Sequence, residues 1–278
     1  MDDTESLRHG DLAAEDIAAA LALSTGVGWN QTAADWALFI AHGRVIGLWE
    51  QLGRLVATAA ALPYDQGFGW ISMVIVAPEW RRRGLARRLM VECIETLRRQ
   101  GRAALLDATP AGAEVYAKLG FVSLCGMERW QGDGGAAATG DGVKPLPPHA
   151  TLDLTVADEV AFGANRGFLL RDFLARDGSM VLHAGEAMAV MRRGERATQL
   201  GPLIAPSAES ARRLLAGALA RAHGPVFLDL LESGKDLAPL LEANGFRIQR
   251  PFRRMALGRG TLPGNPARLI CAAGPEFG

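Results

Sequence analysis

Cysteine is scarce in this chain: Cys93, Cys125 and Cys271 are the only three in 278 residues. Three scattered thiols build neither a disulfide frame nor the paired spacing of a zinc site. No metal is therefore expected, and a reducing, cytoplasmic compartment is. Net charge is missing too, with 30 Lys+Arg against 30 Asp+Glu. A neutral chain has no overall field to hold nucleic acid or an anionic membrane, so neither is an expected partner. No apolar run is long enough to span a bilayer, and the acidic start Met1-Asp2-Asp3-Thr4-Glu5 has no apolar signal core. Tyrosine occurs twice, as Tyr64 and Tyr116.

What is present is an ordinary globular composition, 49% hydrophobic and 22% charged, at a length that suggests about two domains. The chain is organised around Val74-Ile75-Val76-Ala77-Pro78-Glu79-Trp80-Arg81-Arg82-Arg83-Gly84-Leu85-Ala86. The run Trp70 to Val76 is short, apolar and β-branched, which predicts a buried strand. Pro78 ends it, having no N–H to donate. From Leu85 the apolar residues recur as Leu89, Met90, Cys93, Ile94 and Leu97, one face of a helix. Strand, basic turn and helix make a phosphate cradle. The first turn of a helix leaves its N–H groups unpaired, and Gly84 and Ala86 let an anion approach the backbone. Arg81, Arg82 and Arg83 add charge that does not titrate away. The spacing is neither the dinucleotide fingerprint nor a Walker loop.

Arg81-x-x-Gly84-x-Ala86, preceded by an apolar strand and Val76-Ala77-Pro78, resembles the acyl-CoA pyrophosphate loop of the GNAT acetyltransferase superfamily. Further along come Ala104-Leu105-Leu106-Asp107-Ala108-Thr109-Pro110 and then Ala113-Glu114-Val115-Tyr116-Ala117-Lys118-Leu119-Gly120-Phe121. A strand, a short helix carrying tyrosine, and Gly-Phe opening the next strand are similar to the second half of that family's pattern. The resemblance spans roughly Ser6 to Trp130. It implies an α/β (α+β) fold with a mixed, mostly antiparallel sheet flanked by helices, and acetyl-CoA as cosubstrate.

In chain order, Ser6–His9 reads as a first strand, and Asp11 to Leu23 as a helix with Asp11 as N-cap. Thr32–His42 reads as a second helix, and Arg44–Gln51 with Arg54–Leu62 as a hairpin. From Gln131 to Ala150 the sequence turns to Gly, Ala and Pro, as a linker does. The expected organisation is a catalytic domain over 1–130, a linker over 131–150 and a second domain over 151–278. That second part repeats the order of the first. Leu203-Ile204-Ala205-Pro206 aligns with Ile75-Val76-Ala77-Pro78, and Gly245-Phe246 with Gly120-Phe121. The chemistry is lost in the repeat: Arg81, Gly84 and Ala86 fall on Glu209, Arg212 and Leu214, and Tyr116 falls on Leu241. The second half therefore resembles a degenerate GNAT domain.

The resemblance places acetyl-CoA on the backbone of Val74, Ile75 and Val76, on Arg81, Arg82, Arg83, Gly84, Leu85 and Ala86, and beside Thr109 and Tyr116. An extended pantetheine arm adds to a strand edge, and a backbone N–H near Val74 faces the developing oxyanion. It also implies Tyr116 as general acid, because a phenol is protonated at neutral pH. The base stays open between Asp107, at the end of a predicted strand, Glu50 and Asp65; Asp107 is alternatively a cap of the next helix beside Thr109. Trp70 and Trp130 are candidates to line the acceptor pocket. The expected reaction is acetyl transfer to a primary amine by direct attack in a ternary complex. A small-molecule acceptor is favoured because a domain interface makes a closed pocket. A protein Lys or N-terminal acceptor, and a non-catalytic acyl-CoA-binding role, are the alternatives. The oligomeric state is left open.

Overall fold

The structure, a computed structural model, describes residues 6–135, 142–146 and 151–278, so half of the expected linker lies outside the described residues. The chain opens with β1 (Arg8–Asp11), which pairs antiparallel with β2 (Arg44–Trp49) after two helices, α1 (Ile17–Gly26) and α2 (Ala33–His42). Asp11 therefore ends a strand instead of capping a helix. Its carboxylate pairs with Arg44, and α1 begins six residues later, after a turn in which Asp16 accepts from the Ala13 amide. Thr32 caps α2, its hydroxyl accepting from the Asp35 amide while Asp35 accepts from the Thr32 amide. That reciprocal box satisfies two otherwise orphaned donors.

β3 (Leu55–Pro63) and β4 (Phe68–Val76) continue the antiparallel meander. The basic turn follows, and α3 (Leu85–Arg99) then buries Leu85, Leu89, Met90, Cys93 and Leu97 against the sheet, the face expected from their spacing. The chain returns through β5 (Ala103–Ala108), parallel to β4, then α4 (Pro110–Ala117) and β6 (Val122–Asp133). β6 runs through the expected boundary at Trp130. After β7 (Lys144–Pro145) come α5 (Thr151–Phe162) and α6 (Gly167–Ala175). The second half then reads β8 (Met180–Ala184), β9 (Ala187–Arg192), β10 (Thr198–Ile204), α7 (Ala208–Arg221), β11 (Pro225–Leu231), α8 (Ala238–Ala243) and β12 (Arg247–Leu257). A short β13 (Leu269–Cys271) closes the sheet.

The two halves repeat one another, with β4 parallel to β5 and β10 parallel to β11. They are also interlocked. β6 leaves the first half and pairs antiparallel with β11, Met127 opposite Leu231 through Asp133 opposite Pro225. β12 crosses the other way and pairs with β5, Ala104 opposite Leu257 through Ala108 opposite Arg253. β6 and β12 pair with each other between them. The result is one continuous 13-stranded sheet in the order β1-β2-β3-β4-β5-β12-β6-β11-β13-β10-β9-β8-β7. Each half lends one strand to the other, so the backbone groups of β5 and β11 are satisfied across the repeat.

The sheet opens at two equivalent places. β4 stays bonded to β5 only from Phe68 to Trp70 and then diverges. A bulge drives this: Met73 adopts φ +53°, the register with β3 slips between Thr58 and Ala60, and the Thr58 hydroxyl donates to the Met73 carbonyl at 2.8 Å. β10 likewise pairs with β11 only from Thr198 to Leu200. There the gap is filled by β13, whose Cys271 lies opposite both Leu203 and Leu230. One slot is open and its counterpart is closed by the chain itself.

Candidate active site

The basic turn lies exposed at the end of β4. Arg82 takes φ +63° and Gly84 φ +77°, so the backbone winds left-handed twice before α3 starts. A β-carbon on Gly84 would meet nothing within 4 Å, and no side chain caps α3. Its first-turn amides therefore open onto free space carrying the positive end of the helix dipole. These residues fit a pyrophosphate. Arg81 folds back, its Nε donating to the Val76 carbonyl at 3.1 Å, and Arg83 lies 4.8 Å from the Trp80 ring. Leu85 is buried under the turn and Ala86 is half-buried beside it. The matching helix α7 is different: the Ser207 hydroxyl accepts from the Ser210 amide, so its end is already capped.

From the turn the slot runs inward between β4 and β5. Its walls are Ile71, Ser72, Met73 and Val74 on one side and Leu106, Asp107, Ala108, Thr109 and Tyr116 on the other. Ile75 points into the core, while Val74 and Val76 are half-buried. Thr109 caps α4, accepting from the Gly112 amide at 3.3 Å. Tyr116 is half-buried, and loss of water around it pushes its phenol up to about 12. It stays protonated at neutral pH.

Asp107, Glu50 and Asp65 fare differently as candidate bases. Asp107 lines the slot, yet both of its oxygens are held at 2.9 Å by Arg254 of the exchanged strand β12. Burial raises this carboxyl and Arg254 opposes the rise, but the two bonds from Arg254 occupy both oxygens and leave neither turned to a ligand's amine. Glu50 sits in the β2–β3 hairpin, bonded to Arg54, and Asp65 accepts from the Asn165 amide at 2.9 Å. Neither lines the slot. Trp70 is core, donating to the Pro275 carbonyl, and Trp130 packs in the second half's core. Trp29 is the tryptophan at the slot wall.

The deep end is built from residues that sequence reasoning missed: Gln31, Arg129, Arg250, Phe252, Pro275 and Glu276. Glu276 comes from the tail after β13, which is anchored in the first half. Phe277 stacks on Phe39 at 4.9 Å, and the Tyr64 hydroxyl donates to the Phe277 carbonyl. Gly274 makes the turn possible, since a β-carbon there would sit 2.6 Å from the Glu276 carboxylate. The Glu276 carboxylate is 6% exposed and has Arg192 at 3.3 Å. Burial outweighs that long contact and pushes it up to about 7. One signal was legible: Glu276 is the only charged residue in the apolar run Leu269–Gly278. Its distance along the chain from β4 hid its place.

Three buried polar atoms at this end have no hydrogen-bond partner: Gln31 Oε1, Ser72 Oγ and Arg250 Nε. Buried polar groups normally find partners, so an unspent set facing one cavity marks a polar ligand's place. No group of residues that could hold a metal is found among the described residues. Nor is any helix among them long and apolar enough to cross a membrane.

Known proteins share both halves of this fold. A model described as the acetyltransferase (GNAT) family matches residues 16–121, and one described as the acetyltransferase (GNAT) domain matches 154–270. The chain is 26% identical over 250 residues to the uncharacterized N-acetyltransferase YitH of Bacillus subtilis (strain 168), covering 84% of this chain and 85% of that one. Among solved structures, a putative acetyltransferase from Pyrococcus horikoshii superposes with a TM-score of 0.85 at 19% identity, covering 99% of this chain and 96% of that one. A tandem GNAT protein from the clavulanic acid biosynthesis pathway gives a TM-score of 0.60 at 15% identity, covering 90% and 98%. The chain belongs to the GNAT family and is an acyltransferase with two such domains in tandem.

Proposed function

We propose that this N-acetyltransferase moves an acetyl group from acetyl-CoA to the primary amine of a small molecule, by direct attack in a ternary complex. One observation carries the reading: Tyr116 and Glu276 line the same slot, and their proton affinities lie far apart, about 12 and about 7. Two titratable groups separated in this way are suited to opposite proton transfers. Acetyl-CoA supplies an activated thioester. Arg81–Ala86 would hold its pyrophosphate, and β4 from Val74 to Val76 would pair with its extended arm. The Val74 amide, beside the bulge, would stabilise the oxyanion. Glu276 takes the proton from the attacking amine at its carboxylate, and the Tyr116 hydroxyl gives one to the departing sulfur. This moves the base from Asp107, which Arg254 occupies, to Glu276.

A small-molecule acceptor is supported by the slot's closure. Strand β12, the tail and the Trp29–Gln31 loop meet over its deep end. A protein chain would need an open groove. Calorimetric titration with acetyl-CoA, combined with thiol release on a panel of amines, tests the reading. One acetyl-CoA site per chain and release that depends on added amine are expected. Tight acetyl-CoA binding with no release on any amine would leave a binding protein instead.

A further inference from the structure

The deep end of the slot carries a positive charge that the protein does not neutralise. Two arginines line it, Arg129 on β6 and Arg250 on β12, and the two are directly opposite in the strand pairing. Like charges in that position destabilise a sheet. The two differ in what balances them. Arg129 is clamped by Asp229 through two bonds of 2.8 Å, and Gln199 bonds the same carboxylate. Among the described residues Arg250 makes no hydrogen bond or ion pair; its Nε is buried without a partner, and its guanidinium carbon lies 5.2 Å from the Phe252 ring. Register also favours exposure to the slot, since the β6–β12 pairing slips between Ile248 and Arg250. Bulges re-aim side chains and recur beside active sites.

The other acidic groups nearby are already engaged. Asp107 is held by Arg254, Asp229 by Arg129, and Glu276 by Arg192. A half-buried guanidinium whose Nε is buried and unpaired is costly unless a ligand supplies the anion. Its planar fork matches a carboxylate with two parallel bonds. We infer that the acetyl acceptor is an amine that also carries a carboxylate, with Arg250 holding the carboxylate while the amine faces Glu276. The orphaned Ser72 hydroxyl and Gln31 carbonyl oxygen would bond the same ligand's polar atoms. This inference rests on the acetyltransferase reading given above and narrows its substrate class.

The test pairs each of the common amino acids, and straight-chain aminoalkanoic acids of up to about six carbons, with its carboxamide. Thiol release measures turnover, and quenching of tryptophan fluorescence (Trp29 lines the slot) measures binding without turnover. Free acids should exceed their amides in kcat/KM by about 10-fold or more for the preferred member, in line with loss of a charged hydrogen-bond pair. Arg250→Gln should erase that preference and leave acetyl-CoA affinity unchanged, and Arg250→Lys should restore part of it. Equal use of acids and amides, or a preference that survives Arg250→Gln, overturns the inference while leaving the acetyltransferase intact. Absence of turnover with every amine counts against the acetyltransferase reading. The fluorescence titrations then decide the inference alone: acid-selective quenching lost in Arg250→Gln upholds it, and no acid-selective binding refutes it.

Discussion

At the scale of single residues, the proposed chemistry rests on two groups whose surroundings act in the same sense. Burial raises both Tyr116 and Glu276, and only their different starting points give them opposite roles. Glu276→Gln should lower kcat by about 100-fold or more, the contribution typical of a general base, with acetyl-CoA affinity unchanged by calorimetry. In the wild type kcat should rise with pH through an ionisation near 7, and the variant should lack that limb. Retention of the limb would locate the base elsewhere. The same group links pH to stability. A carboxyl raised to about 7 in the fold binds protons more tightly there than in the unfolded chain. Its contribution is therefore favourable below the ordinary carboxylate range and is lost as pH rises towards 7, by about 3 kcal/mol. Denaturant midpoints across that window should fall in the wild type, and this component of the slope should vanish in Glu276→Gln. Tyr116→Phe should cut kcat about 10- to 100-fold, as for loss of an assisting acid, with acetyl-CoA affinity held within about twofold. Full activity in that variant would remove Tyr116 as the acid.

At the scale of elements, α3 and α7 begin differently, and the proposed cofactor cradle depends on that difference. α3 begins at a left-handed glycine with no side-chain cap; α7 begins at Ser207, whose hydroxyl takes the Ser210 amide. Beside α3 the slot is open, while beside α7 β13 fills it. A pantetheine arm has no strand edge to join there. Gly84→Glu tests the open cradle. The side chain has room, so the fold should survive with a cost of about 1 kcal/mol for the left-handed backbone. The new carboxylate would repel the pyrophosphate, and acetyl-CoA binding should fall below detection. Gly84→Ala shares the backbone cost without the charge and should bind measurably. Equal affinity in wild type and Gly84→Glu would place the pyrophosphate elsewhere.

At the scale of the whole molecule, the second half is a structural part of the first half's site. β12 brings Arg250, Phe252 and Arg254; β9 brings Arg192; the tail brings Glu276. A fragment ending at residue 146 would leave β5 without its neighbour and β6, a 12-residue strand, unpaired on both sides. Unprotected edges of that length invite pairing with other chains. Such a fragment should appear in size-exclusion chromatography as aggregates or intertwined dimers, with no acetyl-CoA binding. A folded monomer with native affinity would show that the first half stands alone.

Local patterns carried much of this in the sequence. The helical spacing from Leu85 to Leu97, the strand ending at Pro78 and the arginine-glycine turn are short-range features, and spacing alone sets which face of α3 is buried. The internal repeat and its eroded cradle were likewise readable, because loss of a glycine at a helix start is visible position by position. Local pattern misled at Asp11, where pairing with Arg44, 33 residues on, overrode a capping preference. The base and the acceptor pocket depended on contacts between residues far apart. Arg254 meets Asp107 across 147 residues, and Glu276 enters a slot formed by strands some two hundred residues earlier. Nothing in local spacing encodes a strand exchange or a tail that returns to the first half. Tertiary structure decided those, because burial and charge pairing are properties of where a side chain ends up among its neighbours.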